Sequence, residues 1–477
     1  MRTTSANQAD LGTFFNPGSV AVVGVSRRIG AFGGALFLRR YREADFNGAL
    51  YPIHPKADEI EGLRAYPNLS SLPEVPGLVI LAVKAELVPS VLEECARIGA
   101  RHIHIFASGF SEIGTREGME LEGRITAIAR QNGLLVIGPN CMGPYCPSSG
   151  LAAWGAMPGK PGPVGVISQS GAITQRLTEY LYSLGIGTEK AVSMGNAAVL
   201  DGSDYLEFMA EDDRIQTIAM YLESVGDGRR LLHLAREVGK KKPIVIWKGG
   251  ESDVGARTVA SHTGSMAGER RLWDALFRQT GAVQARSMND WADALLALCL
   301  LPAPRGKGVF LIGGGGGSSV SNGDTCVHHG LEVPRLSEPT MERLRETVPT
   351  AGSIAGNPLD EWPIFDDPEY LLEILGLAYA DPEVSMVMVD RMVPRAAFHM
   401  SGDASLTQEV VDLVTRNQKP TVFTIDCDGG DADLTARGTA LRAEICRAGI
   451  PAYPSLRRAA WALSQLHSYH AHRAALG

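Results

Sequence analysis

Short runs of β-branched and aliphatic residues recur along this 477-residue chain, each ending in a glycine or small-residue turn and leading into a helical pattern. The first is "SVAVVGVS" (19–26), followed by the helical "ALFLRRYREA". "GALYPIHP", "GLVILAVK", "RHIHIFAS" and "LLVIGPN" repeat the pattern, with amphipathic stretches such as "ELVPSVLEECARIG" between them. Strand–helix alternation of this kind predicts an α/β fold with a doubly wound parallel sheet, which binds ligands at the carboxyl ends of its strands. The Pro/Gly stretch "MPGKPGPVG" (157–165) resets the pattern. "VGVISQSGAITQRLTEYLYSLG", "TIAMYLES", "PIVIWKGG" and a helix over 269–279 then continue it. After "LPAPRGKG" come "VFLIGGGGGSS", "VSMVMVDRM" and "PTVFTIDC". Three Rossmann-like or flavodoxin-like domains are expected, at 1–150, 151–302 and 303–477.

Bulk composition narrows the partners. A net charge of −8 gives no sign of a nucleic-acid binder. No apolar run reaches the roughly 18 residues of a membrane span, and the N-terminus lacks a signal-peptide core, so a cytoplasmic protein with no membrane association is expected. Seven irregularly spaced cysteines fit reduced thiols. No bound metal is expected. "DCDGGDAD" (426–433) has Asp431 where a calcium loop needs glycine and Arg437 where it needs glutamate. Cys141 and Cys146 lack a second pair for zinc, and His467, His470 and His472 fit a solvated helix end.

Three stretches carry candidate chemistry. The turn Gly24–Gly30, between strand and helix, suits backbone binding of a phosphate or an ordinary tight turn. The next strand ends in Pro52-Ile53-His54-Pro55-Lys56, where a dinucleotide-binding fold wants an acidic residue for the ribose. A basic end suits a ribose carrying an extra phosphate, as in coenzyme A, unless Lys56 is a plain surface lysine. In "ISQSGA" (167–172), Ser168 and Ser170 flank a strand-to-helix turn, an anion site or a simple N-cap. In "VASHTGSMAG" (259–268), His262 stands among small residues, as a satisfied polar residue or as a nucleophile on a mobile loop.

"GPNCMG" (138–143), "ISQSGA", "SMGN" (193–196), "YLES" (221–224) and "SHTGSMAG" occur in that order. This set resembles the CoA-binding, α-type part of nucleoside-diphosphate-forming acyl-CoA synthetases, relatives of succinyl-CoA synthetase, over about residues 15–357. The resemblance implies an acid–thiol ligase: acid, CoA and ATP give acyl-CoA, ADP and phosphate through an acyl phosphate and a phosphohistidine. It implies that His262 is phosphorylated and that Glu223 orients and charges its ring. A carboxylate on one ring nitrogen fixes the tautomer and leaves the other free to attack. It places Gly24, Ser26, Arg28, Lys56, Ser108, Pro139 and Asn140 at CoA, and Ser168, Gln169, Ser170, Gly171, Gly195 and Asn196 at the phosphate and acyl group. Cys141 reads as a packing residue. His54 departs from the family's usual asparagine and Lys84 from its usual proline, both beside the expected CoA pocket.

The family charges its histidine through an ATP-grasp module, and no such segment is evident. The expected partners are therefore a separate ATP-grasp β-type subunit, bringing ATP or ADP with Mg, and a carboxylic acid, in a homo- or hetero-oligomer. The loop "GGGGGSS" (313–319) reads equally as phosphate site or flexible turn. Two rivals stand beside this reading. One is a non-catalytic, regulatory CoA-binding module, against which the His262 and Glu223 pair argues. The other is an NAD-dependent dehydrogenase, against which the missing acidic residue argues.

Overall fold

A computed structural model describes residues 8–26, 33–152, 159–255, 257, 259, 270–313, 315–349, 354–361, 364, 367–391, 406–425 and 431–476. Arg28, His262, Gly314 of the glycine loop and residues 426–430 lie outside the described residues. The chain divides into two compact units, Met1–Tyr182 with Gly187–Arg286, and Ser183–Ile186 with Ser287–Gly477.

The first unit holds two sheets. The chain runs through β1 (Ser19–Val23), β2 (Ala49–Ile53), a small hairpin of β3 (Glu59–Ile60) and β4 (Leu63–Arg64), then β5 (Leu78–Leu81), β6 (His102–Ile105) and β7 (Leu135–Ile137). β2-β1-β5-β6-β7 form one sheet, with every pair parallel. Its middle strands are buried on both faces, as a sheet covered by helices requires. Val79, Leu81, Ile103 and Ile105 pack with Val88, Leu92 and Ile125 of the flanking helices. Each such side chain removed from water contributes about 1.5–3 kcal/mol.

The second sheet contains β8 (Gly143–Tyr145), β9 (Val164–Ser168), β10 (Thr188–Ser193), β11 (Thr217–Leu222), β12 (Ile244–Lys248) and β13 (Val283–Ala285). Its order is β13-β12-β11-β9-β10-β8, parallel except for β8, which runs antiparallel to β10. The chain thus enters the second sheet directly after "GPNC". Leaving aside the hairpin and β8, each sheet has the flavodoxin-like order 2-1-3-4-5, with its topological switch point beside its first strand.

The second unit carries one parallel sheet, β14 (Val309–Gly313), β15 (Met386–Arg391), β16 (Thr421–Ile425) and β17 (Ala452–Tyr453), in that order. The helices Met288–Leu300 and Leu456–Ala475 pack together there. Arg458 grips buried Asp293 through Nε at 2.6 Å and Nη2 at 2.7 Å. Burial pushes the Asp293 carboxyl up, and the guanidinium fork opposes that shift. Three sheets, parallel but for the edge strand β8 and joined by helical crossovers, match the fold class expected from the alternation. No described helix is long and apolar enough to cross a membrane.

Candidate functional site

The first switch point lies between β1 and β5. There Gly24 has φ +92°, and a Cβ on it would stand 2.3 Å from the Ala82 carbonyl oxygen. Only glycine fits so close an approach in this backbone conformation. The helix Gly34–Glu43 follows with Gly33, which has no side chain to cap it, as its N-cap. Ser26, Lys56 and Ser108 are exposed on loops after β1, β2 and β6, at the carboxyl ends of their strands. His54 Nδ1 accepts the N–H groups of Lys56 at 3.1 Å and Ala57 at 3.0 Å. An asparagine side chain closes a turn in the same way, so this departure keeps the turn chemistry. Lys84 is exposed at the start of a short 3-10 turn.

The turn after β7 joins the two sheets. Asn140 holds φ +58°, uncommon for a residue with a Cβ, while its N–H donates to the Ala107 carbonyl at 2.9 Å. Gly195 sits at φ +52°, and a Cβ there would lie 2.2 Å from the Pro139 oxygen and 2.3 Å from that of Asn140. The N–H groups of Asn196 and Ala198 donate to the carbonyls of Pro139 and Gly138 at 3.1 and 3.0 Å. "GPNC" and "SMGN" are therefore locked together by backbone contacts. Below them the His104 ring is fully buried, with Nε2 3.1 Å from the Cys141 oxygen and its Cε1 side so close to Gly143 that a Cβ there would stand 2.4 Å from it. Burial depresses the His104 pKa to about 4 and pushes the Cys141 thiol up, which makes Cys141 a packing residue and a poor nucleophile.

Three neighbouring strands of the second sheet deliver polar groups at their carboxyl ends: Ser168 from β9, Ser193 from β10 and Glu223 just past β11. The Ser168 hydroxyl accepts the Ser170 N–H at 3.0 Å and donates to the Ser170 carbonyl at 2.9 Å. Gly171 opens the helix Gly171–Ser183, where a Cβ would meet Met142 Cγ at 2.7 Å. Gln169 Oε1 receives the N–H groups of Glu223 at 2.6 Å and Ser224 at 2.9 Å, and its Nε2 donates to Ser224 Oγ at 3.2 Å. Glu223 is only 7% exposed, and its Oε1 accepts from Tyr221 OH at 3.3 Å. Such a set holds one carboxylate beside a strand-to-helix turn, where an anion meets the positive end of a helix dipole.

Several participants have no motif to announce them. Asn196 Nδ2 lies 2.7 Å from Glu112 Oε2, 2.8 Å from Glu122 Oε2 and 3.3 Å from Ser111 Oγ, while Asn140 Nδ2 faces Asn196 Oδ1 at 3.4 Å. Buried Lys248 donates to the main-chain oxygens of Glu223, at 2.9 Å, and Gly249, and lies over the Trp273 ring. Desolvation lowers its pKa. Among the described residues, no group of three metal-ligating side chains occurs.

Comparison with known proteins matches these two sheets separately. Residues 18–147 match the family described as CoA binding domain, and residues 161–298 that described as succinyl-CoA ligase like flavodoxin domain. The chain is 35% identical over 471 residues to acetate–CoA ligase [ADP-forming] I subunit alpha of Pyrococcus furiosus, covering 96% of this chain and 97% of that one. It is also 35% identical to acetate–CoA ligase [ADP-forming] I of Archaeoglobus fulgidus, covering 72% of this chain but half of that relative. Among solved structures, the dinucleotide forming acetyl-coenzyme A synthetase 1 of Ca. Korarchaeum cryptofilum in complex with phosphate and ADP superposes with a TM-score of 0.85. That match has 32% identity and covers 97% of both chains.

Proposed function

Since the chain belongs to the family of ADP-forming acyl-CoA ligases, we propose that it is the CoA-binding subunit of such an enzyme, working with a separate ATP-grasp chain on a carboxylic acid. In this reading the partner transfers the γ-phosphoryl group of Mg-ATP to His262 and releases ADP. The phosphohistidine passes its phosphoryl group to the acid carboxylate, giving an acyl phosphate and restoring His262. The CoA thiol gives up its proton and attacks the acyl carbonyl, and phosphate leaves.

The carrying observation is the convergence of Ser168, Ser193 and Glu223 on three adjacent strand ends, beside the backbone lock of Gly195 on Pro139 and Asn140. Each residue then has a task. The N–H groups opening Gly171–Ser183, with Ser170 and the Ser168-pinned turn, hold the phosphoryl oxygens. Glu223, fixed through its N–H by Gln169, accepts a ring N–H of His262 and stabilises the cation formed on phosphorylation. Asn140 and Asn196 face the acyl carbonyl, with Glu112 and Glu122 setting the Asn196 amide. Gly24, Ser26, Arg28, Lys56 and Ser108 surround the nucleotide part of CoA, which leads the thiol toward Pro139 and Asn140.

The test is ADP release with CoA, ATP, Mg and a carboxylate panel. The purified chain alone is expected to bind CoA and release no ADP, and an ATP-grasp partner to restore acid-dependent turnover. Robust acid-dependent release by the chain alone contradicts the division of labour.

A further inference from the structure

Lys248 ends β12 and is only 4% exposed. An ammonium so deep has to be compensated where it sits. Its Nζ donates to the Glu223 main-chain oxygen at 2.9 Å and to that of Gly249, and it lies 5.6 Å from the centroid of the Trp273 ring. Desolvation lowers its pKa, and the Glu251 and Glu223 carboxylates oppose that shift. These contacts join three pieces of chain. Glu223 follows β11, whose Leu222 pairs with Lys248 in the sheet. Gly249 opens the stretch that leads to His262, and Trp273 lies beyond that stretch on the helix Arg270–Thr280. Gly249 is also pressed on Glu223. Its N–H donates to the Leu222 carbonyl at 2.9 Å, and a Cβ on it would stand 2.6 Å from Tyr221 OH and 3.3 Å from Glu223 Cγ. The same tyrosine hydroxyl donates to Glu223 Oε1.

We infer that Lys248 is a positioning residue for phosphoryl transfer: one buried ammonium ties the main chain of Glu223 to Gly249 and Trp273, the two sides of the stretch that carries His262, so that carboxylate and histidine meet in one register. The inference rests on the function proposed above. Lys248 acts through Glu223 and not on the substrate, because its hydrogen bonds go to main-chain oxygens and its charge lies buried over an indole. Both bonds spare the Glu223 carboxylate, which stays free of the ammonium and can accept a ring N–H. Charge is what makes a lysine suited to the task. A hydrogen bond from a charged donor is roughly twice as strong as a neutral one, so a single side chain can hold two carbonyls at a fixed spacing. Spacing matters because a drift of about 1 Å between reacting groups can cost about a hundred-fold in rate.

The experiment is a double-mutant cycle on the rate of labelling. The full chain is labelled with 32P-phosphate and acetyl-, phenylacetyl- or succinyl-CoA, whichever labels the wild type fastest, and CoA affinity by calorimetry reports a folded chain. Lys248→Met keeps the stem and removes the donors. It is expected to label at least about ten-fold more slowly, with CoA affinity within about two-fold of wild type. In a Glu223→Gln background the same substitution is expected to change the remaining rate by less than about two-fold, because the group it positions is already gone. A purely structural lysine would slow both backgrounds alike. Trp273→Leu removes the ring and leaves both carbonyl bonds. It is expected to slow labelling about three-fold with the same non-additivity, and it carries the test if Lys248→Met does not fold. Unchanged labelling in both variants, an equal loss with and without Glu223, or loss of CoA binding in both variants overturns the inference. A wild type that binds CoA and takes no label from any of the three overturns the proposed function itself, and the inference with it.

Discussion

The two sheets of the first unit share one strand order and use it in opposite ways. At the first switch point the chain offers backbone: Gly24 pressed on Ala82, then a helix begun by Gly33, which has no side chain of its own to cap it. At the second, the turn is satisfied by its own side chains, with Ser168 closing on Ser170 and Gln169 on Glu223 and Ser224. A glycine at the helix start is where the proposed reading puts a bulky, flexible ligand such as CoA. A turn pinned by side chains holds one carboxylate still for a group transfer. The topology sets where each site lies, and the side chains at the strand ends set its chemistry.

The sharpest way to break this contrast is substitution at the two turns. Gly24→Ala places a Cβ 2.3 Å from a backbone carbonyl at φ +92°. It is expected to cost more than about 3 kcal/mol in stability or to reduce CoA affinity over 100-fold, read by thermal melting and titration. Ser168→Ala removes a turn cap, at about 1 kcal/mol. It should leave CoA affinity near wild type and slow phosphoryl transfer. Equal losses of CoA affinity in the two variants would erase the contrast.

Beneath the junction, His104 predicts a pH effect. Its folded pKa is depressed to about 4 against an ordinary value of 6.5. The unfolded state therefore binds the proton first, so this contribution is complete above pH 6.5 and is lost as pH falls toward 4. The full contribution is about 3 kcal/mol. His104→Gln should flatten that part of the melting-temperature profile, and an unchanged profile counts against a buried neutral imidazole. The smallest effect belongs to exposed Lys56. Lys56→Ala should weaken CoA by about 0.2–1 kcal/mol and weaken dephospho-CoA less. Equal weakening moves Lys56 to the diphosphate, and none returns it to solvent.

Strands rich in β-branched and aliphatic residues and free of charge were legible in the sequence: "SVAVV", "LVIL", "VFLIG" and "TVFTI" all lie in sheets. β10, "TEKAVS", was not, because Glu189 and Lys190 mask it. Both are buried there, and Asp212 and Arg214 neutralise them from the loop before β11. That compensation comes from residues distant in sequence, beyond the reach of periodicity. β8 escaped notice because its residues, Gly143-Pro144-Tyr145, read as the tail of a turn. The candidate site divides the same way. Glycine turns and motif order marked Gly24, Gly195, Ser168 and Glu223. Glu112, Glu122 and Lys248 act through folded-state contacts across 84, 74 and 25 residues, and only the structure brings them in.

The central claim is that His262 carries a phosphoryl group and that Glu223 prepares it. The most direct measurement is radiolabelling from [γ-32P]ATP with the ATP-grasp partner, or from acyl-CoA and 32P-phosphate, followed by acid and alkali treatment. An alkali-stable, acid-labile label is expected on the wild type, none on His262→Ala, and slower labelling of Glu223→Gln, whose neutral amide does not stabilise a charged ring. A label that persists on His262→Ala would contradict the account.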